Sequence, residues 1–197
     1  AHRINCGVVS AMSTEQHNSS LNIQPLFNDE IVWVVPRNIP EEMIVEVLTE
    51  PMITCNKYDA LNRYVDVGPG IPWSGYSDDW FRSKLPNAAP YFSCMTHQAA
   101  VDIVAGGMAT CHSPLALLPN LSAEVLSRIK CFRLNEYVRK AVLVMPKHLL
   151  TLQPFADFAE HISTYFSERY LGKAFLDEMQ DFPELCTQIN SFHDRSV

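Results

Sequence analysis

Ile31-Val32-Trp33-Val34-Val35-Pro36 and Val138-Arg139-Lys140-Ala141-Val142-Leu143-Val144-Met145-Pro146 are two apolar strand segments far apart in the chain. Each is at least as long as an ordinary buried strand of about 5–6 residues. Between them Ile103-Val104-Ala105-Gly106-Gly107-Met108-Ala109-Thr110 reads as a helix end that runs into a strand. Two apolar strands that bracket so long an insert read as a double crossover between two lobes. Lobes joined in this way enclose a cleft, and clefts bind ligands.

Working outward, residues 4–11 read as a short buried strand, 13–22 as a polar loop, and 26–35 as a strand closed by Pro36. Helical spacing over 40–48 puts Met43, Ile44, Val47 and Leu48 on one face. Residues 52–55 form a strand candidate, and Asn56 suits the cap of a helix over 57–65. Gly68-Pro69-Gly70-Ile71-Pro72 breaks the chain, and Ser77-Asp78-Asp79 supplies cap residues for a helix carrying Trp80, Phe81 and Leu85.

Tyr91-Phe92-Ser93-Cys94 is a strand feeding Thr96, the N-cap of a helix over 98–105 that stops at Gly106-Gly107. A helix follows over 122–127 and a strand over 130–134. From Pro154 a helix carries Phe155, Phe158, Ala159, Ile162 and Phe166 as one apolar stripe, with Gly172 to end it. Leu176, Met179 and Phe182 suggest one more helical piece. The alternation of strands and helices predicts an α/β fold with largely parallel strands.

The 22 acidic residues outnumber the 15 basic ones, and the formal net charge of -7 excludes a surface built to wrap nucleic acid. Any DNA contact is made elsewhere. Cys6, Cys55, Cys94, Cys111, Cys131 and Cys186 show no C-x-x-C or zinc-ribbon spacing, so they read as reduced thiols of a cytoplasmic protein. No run of about 18 apolar residues is present to span a bilayer, and no signal peptide is visible. Cys111 and His112 are adjacent in a strand and point to opposite faces, which argues against a shared metal. With no G-x-S-x-G, H-E-x-x-H or P-loop, the chain reads as a non-enzyme with no cofactor.

Gln24-Pro25-Leu26-Phe27-Asn28-Asp29-Glu30-Ile31-Val32-Trp33-Val34-Val35-Pro36 resembles the "pLf.d.lvlvvp" segment that enters the second subdomain of LysR-type transcriptional regulators. Residues 99–109 resemble that family's "..l.lVaaGlGia" helix-turn-strand, and residues 142–147 with 152–162 resemble its return strand and "lsp..raf.dfl" helix. The resemblance runs from about residue 4 to 162 with the order of the three segments kept. It implies an effector-binding domain of the type 2 periplasmic-binding-protein fold, α/β, with two lobes joined by two crossover strands.

On that pattern residues 1–34 and 142–197 belong to the first lobe with a C-terminal extension, and residues 35–141 form the second lobe. The first lobe is expected to be incomplete at its N-terminus, and DNA to be bound only through an N-terminal winged helix-turn-helix absent from this chain. The implied partners are a small-molecule effector and further copies of the chain in a homodimer or homotetramer; Trp33, Cys94, Met95 and Met108 near the expected cleft favour an aromatic or otherwise apolar organic acid over a sugar as that effector. No membrane partner is implied. The alternative reading is a transporter's solute-binding protein with the same fold.

The resemblance also implies where the effector sits. Met95, Thr96 and His97, with Gln98, lie at a strand-to-helix turn whose unpaired amides suit an anion; the alternative is that Thr96 simply caps its helix. Ser10 and Ala11 fall beside the hinge, or simply end their strand. Cys55 and Asn56, with Lys57, lie at another turn facing the cleft, where the alternative is solvated surface. Trp33 offers a ring to stack on a planar ligand, or is core. Met108 completes an apolar, sulfur-containing lining.

Overall fold

The computed structural model describes residues 5–11, 20–50, 55–68, 72–168 and 180–181. In chain order these form β1 (Gly7–Ala11), β2 (Leu21–Pro36), α1 (Glu41–Thr49), a 3-10 turn at Asp59–Asn62, β3 (Arg63–Val67), α2 (Pro72–Lys84), β4 (Ala89–Cys94) and α3 (His97–Ala105). Then come β5 (Cys111–Pro114), a 3-10 turn at Leu115–Asn120, the short α4 (Ala123–Leu126), β6 (Ile129–Pro146), a 3-10 turn at Lys147–Thr151, α5 (Gln153–Glu168) and β7 (Gln180–Asp181).

β2 and β6 are 16 and 18 residues long, about three times an average strand. They pair antiparallel from Leu21↔Pro146 to Pro36↔Ile129. The register breaks once near Pro25 and again between Glu30↔Val138 and Val32↔Arg133, where Ile31 alone faces residues 134–137. This second break divides the packing. On one side of it Ile31, Trp33 and Val35 project into a core shared with α1, α2 and the Asp59–Asn62 turn, while Val32 and Val34 project into a second core shared with α3 and β5. The alternation is that of any strand, and burial on both faces is why the run is continuously apolar. On the other side Leu26, Leu143 and Met145 pack under α5 through Ala159, with Phe155, Ile162 and Phe166 around them.

The pairing is mixed, which corrects the expectation of largely parallel strands. β1–β6, β2–β5 and β2–β6 are antiparallel; β3–β4, β6–β7 and the bridge Tyr64↔Thr110 are parallel. A strand that leaves a lobe and one that returns to it must run in opposite directions, so the two crossovers pair antiparallel whatever the local strand-helix rhythm.

The expected helix over 57–65 is also corrected. A 3-10 turn covers Asp59–Asn62, and Arg63–Val67 is a strand whose main chain exchanges hydrogen bonds with Thr110 (Thr110 N to Arg63 O 3.0 Å; Val65 N to Thr110 O 2.9 Å). The strand's ladder partner is β4, parallel from Arg63↔Ala89 to Val67↔Cys94, and these partners far along the chain override local propensity. α2 begins at Pro72 rather than at Ser77, with proline in the first-turn position that tolerates its missing N–H. Gln180–Asp181 pairs with Phe132 and Arg133 as a strand, so the helical reading around Phe182 does not hold at these two residues. The strand candidate over 52–54 and the stop at Gly172 lie outside the described residues.

α3 follows its expected caps. The Thr96 hydroxyl accepts from the Ala99 amide at 3.2 Å, and Gly107 takes a positive φ of 77° at the other end. Among the described residues no helix is long and apolar enough to cross a membrane.

Candidate ligand cleft at the crossover

A concavity of about 430 Å³ opens where α3 begins, a size within the usual range for small-ligand pockets. Thr96, His97 and Gln98 line it from the first turn of α3. Pro114, Ala116, Leu117 and Asn120 line it from the end of β5 and the turn beyond, and Arg139 from the crossover strand β6. Its walls are therefore apolar on the Pro114–Leu117 side and polar on the α3 and β6 side.

Arg139 is held from beneath. It is the register partner of Asp29 on β2, and its Nε and Nη2 donate to Asp29 Oδ2 at 2.8 and 2.7 Å. Asp29 Oδ1 accepts from the Ala116 amide at 2.9 Å. The Asp29 side chain has no exposed surface, so these bonds offset the cost of removing its charge from water. On the far side of the register break Arg133 pairs with Glu30 at 2.8 Å, both side chains about a quarter exposed.

His97 is uncharged at neutral pH. Burial, and then the neighbouring Arg139 guanidinium, push its pKa down to about 4 against the opposing effects of a bond to the His112 main chain and of Asp29. His112 lies deeper, with Nδ1 2.9 Å from Ser77 Oγ and its ring stacked on Phe81 and edge-on to Trp80. Burial, then His97, bring it down to about 3. A ligand in the cleft thus meets one guanidinium, one neutral imidazole, a hydroxyl, two carboxamides and a hydrocarbon wall.

Of the residues singled out from the sequence, Thr96 and His97 line this cleft together with Gln98. Met95 stands beside them at 80% exposure without lining it. Ser10 and Ala11 pair with Ala141 and Lys140, which brings the end of β1 next to Arg139 along β6. Trp33 is fully enclosed, 5.4 Å from Trp80 and 5.8 Å from Phe132 ring to ring, so it presents no face to a ligand. Cys55 is buried and clamped by Asn62, whose side chain accepts from its amide and donates to its carbonyl; Asn56 is exposed beside it. Met108 sits past the C-terminal end of α3, the end opposite Thr96.

Arg139 and Asp29 were not among the expected site residues, although a charge set in each apolar crossover strand was the available signal. At the other end of α3 a second concavity of about 440 Å³ is lined by Arg37, Gly106, Gly107 and Arg128. Arg128 there is already paired with Glu124 at 2.7 Å.

Three of the thiols, Cys94, Cys111 and Cys131, are held in their protonated form. Burial holds Cys111 well above its ordinary value, raises Cys131 to about 12, and raises Cys94. The nucleophile is the thiolate, and these environments suppress it. Cys111 and Cys131 lie on the two strands flanking β2, both opposite Val34, so their Cα atoms are about 10 Å apart, too far for a disulfide.

No family profile and no curated protein matches the sequence. Solved structures do match. Reduced OxyR from Porphyromonas gingivalis superposes with a TM-score of 0.52 at 15% identity, over 82% of this chain and 69% of that one. A hydrogen-peroxide-bound cysteine mutant of OxyR from Corynebacterium glutamicum gives 0.53 at 12% identity, over 87% of this chain and 52% of that one. The reduced regulatory domain of OxyR2 from Vibrio vulnificus gives 0.53 at 13% identity, over 82% and 71%. This chain therefore spans only about half the length of the C. glutamicum protein. At these identities the likeness is one of fold: the chain has the periplasmic-binding-protein-like type 2 fold of the OxyR regulatory domains, which are those of LysR-type regulators.

Proposed function

We propose that this chain is the ligand-sensing regulatory domain of a LysR-type transcriptional regulator and that its effector, a small organic acid, occupies the cleft at the start of α3. The observation that carries the reading is the placement of that cleft. It is walled by α3 and the β5 end on one side and by Arg139 on a crossover strand on the other. A ligand there touches both the body of one lobe and the strand joining it to the next. The lobes of this reading divide near residues 34/35 and 141/142. DNA would be bound through a winged helix elsewhere in the protein, by a homodimer or homotetramer in the cytoplasm.

Binding transmits a signal only through a difference in affinity between two arrangements of lobes or subunits. The Pro114–Leu117 wall suits the hydrocarbon part of such an acid. The enclosed Trp33 gives no support to ring stacking, so the reading does not require an aromatic acid. One OxyR neighbour carries hydrogen peroxide. Here burial suppresses the thiolates of Cys94, Cys111 and Cys131, which supports reversible ligand binding over oxidation of these three thiols as the sensing chemistry. The reading assigns no catalytic residue.

A thermal-shift screen of the full chain against small organic acids tests it, run in parallel on Leu117→Trp, which fills the cleft. An acid present at a hundred times its Kd adds about 2.7 kcal/mol, hence roughly 5–10 °C in Tm for a chain of this size. The shift should vanish in Leu117→Trp. An acid that stabilises both proteins equally binds elsewhere and refutes the assignment.

A further inference from the structure

The two ion pairs beside the register break are not equivalent. Arg133–Glu30 is partly solvated on both sides, whereas the Asp29 carboxylate has no exposed surface. Asp29 cannot give up Arg139 without leaving an uncompensated buried charge, a strongly unfavourable state. Arg139 is therefore a fixed group rather than a mobile counterion. A guanidinium carries five N–H donors in a rigid plane. The bonds to Asp29 engage its Nε and Nη2 edge, which leaves the Nη1 edge outside the pair, on a side chain that lines the cleft.

We propose that Arg139, positioned by Asp29, anchors the acid group of the ligand through its Nη1 edge, and that the pair makes the cleft selective for monocarboxylates. The proposal rests on the cleft reading above and names the group that fixes the ligand and its charge. Asp29 already offsets the charge of Arg139, and no other cationic side chain lines the cleft among the described residues. One carboxylate gains charge-assisted hydrogen bonds from the fork. A second carboxylate on the same ligand finds no counter-charge and loses its hydration. A carboxamide of the same shape gains less from the guanidinium. Asp29 acts here through Arg139 and is a positioning residue.

The test measures binding of the full chain to acetate, benzoate and cyclohexanecarboxylate, to their carboxamides, and to the dianions malonate and phthalate. Wild type should bind the monocarboxylate of the best-fitting pair about ten- to a hundredfold more tightly than its amide. Arg139→Gln should abolish that preference, and Arg139→Lys should restore part of it. Asp29→Asn, which unmasks the charge of Arg139, should raise the affinity for the dianion relative to the monoanion; a purely structural role for Asp29 would weaken both alike. Should Asp29→Asn not fold, the wild-type ranking of monoanion, amide and dianion decides, because equal binding of all three overturns the proposal. Leu117→Trp separates the two levels of inference. If it leaves monocarboxylate binding intact, the cleft reading fails. If it abolishes binding while Arg139→Gln keeps the preference for acid over amide, only the anchor fails. Absence of binding by every monocarboxylate overturns the selectivity proposal.

Discussion

Lowering the pH from about 7.5 to about 5.5 should destabilise the fold by roughly 3 kcal/mol through His97 and His112 alone. Both histidines have folded pKa values below the unfolded reference of 6.5, at about 4 and about 3. The unfolded chain therefore takes up a proton at each site near pH 6.5, while the folded chain refuses it until pH 4 or below. Stability is complete above the unfolded value and is lost as the pH falls through this window. At about pH 5.5 the unfolded state is a pH unit below its reference, and each site contributes about 1.4 kcal/mol. Urea unfolding at the two pH values reads the effect. With a slope of about 1–3 kcal/mol per molar, the midpoint should fall by about 1–3 M. A His97→Gln, His112→Asn double variant will be less stable at both pH values, yet its midpoint should be nearly independent of pH. Were the double variant to lose as much stability on acidification as wild type, the neutral buried histidines would not be the cause. At about pH 5.5 carboxyl groups of ordinary pKa are still ionised, which keeps them out of the comparison.

Three further outcomes follow from the packing. Trp33→Ala empties a fully enclosed ring site between Trp80 and Phe132 and should cost about 3–5 kcal/mol in denaturant unfolding. Gly107→Ala has open space at the new Cβ but keeps the φ of 77°, so it should cost about 1–2 kcal/mol from the backbone alone, read as a lower Tm. Cys111 should resist maleimide in the folded chain and react at the rate of global unfolding, a difference that quenched labelling followed by mass spectrometry detects.

What was legible in the sequence is whatever lies within one element. The continuous apolar run 31–36 announced burial on both faces, and the structure places its alternate side chains in two separate cores. The Thr96 cap and the Gly107 stop bounded α3 correctly, because capping is chemistry between residues three or four apart. Of the expected stripe Phe155, Ala159, Ile162 and Phe166 lie on the face that α5 lays on Leu26 and Leu143, whereas Phe158 is exposed. The misreadings share the opposite property. Arg63–Val67 became a strand because it pairs in parallel with Ala89–Cys94 and exchanges further hydrogen bonds with Thr110, and nothing in the local pattern of residues 57–65 refers to either.

The same distinction explains the candidate site. Thr96 and His97 were found because a strand-to-helix turn is a local feature. Arg139 was passed over although it stands inside one of the two segments that decide the fold. Its meaning depends on Asp29, 110 positions earlier, and on a register that periodicity cannot supply. A one-residue slip of β6 against β2 would turn Arg139 to the other face and bury Asp29 without a counter-charge. The ion pair and the register therefore specify each other: the apolar residues on both sides of the break align the strands, and the alignment makes a buried acid tolerable. An aspartate in one crossover strand and an arginine in the other read as two isolated surface charges until the strands are laid antiparallel. Once they are, the two charges meet at the point where the strands pass from one packing region to the other and where the cleft opens.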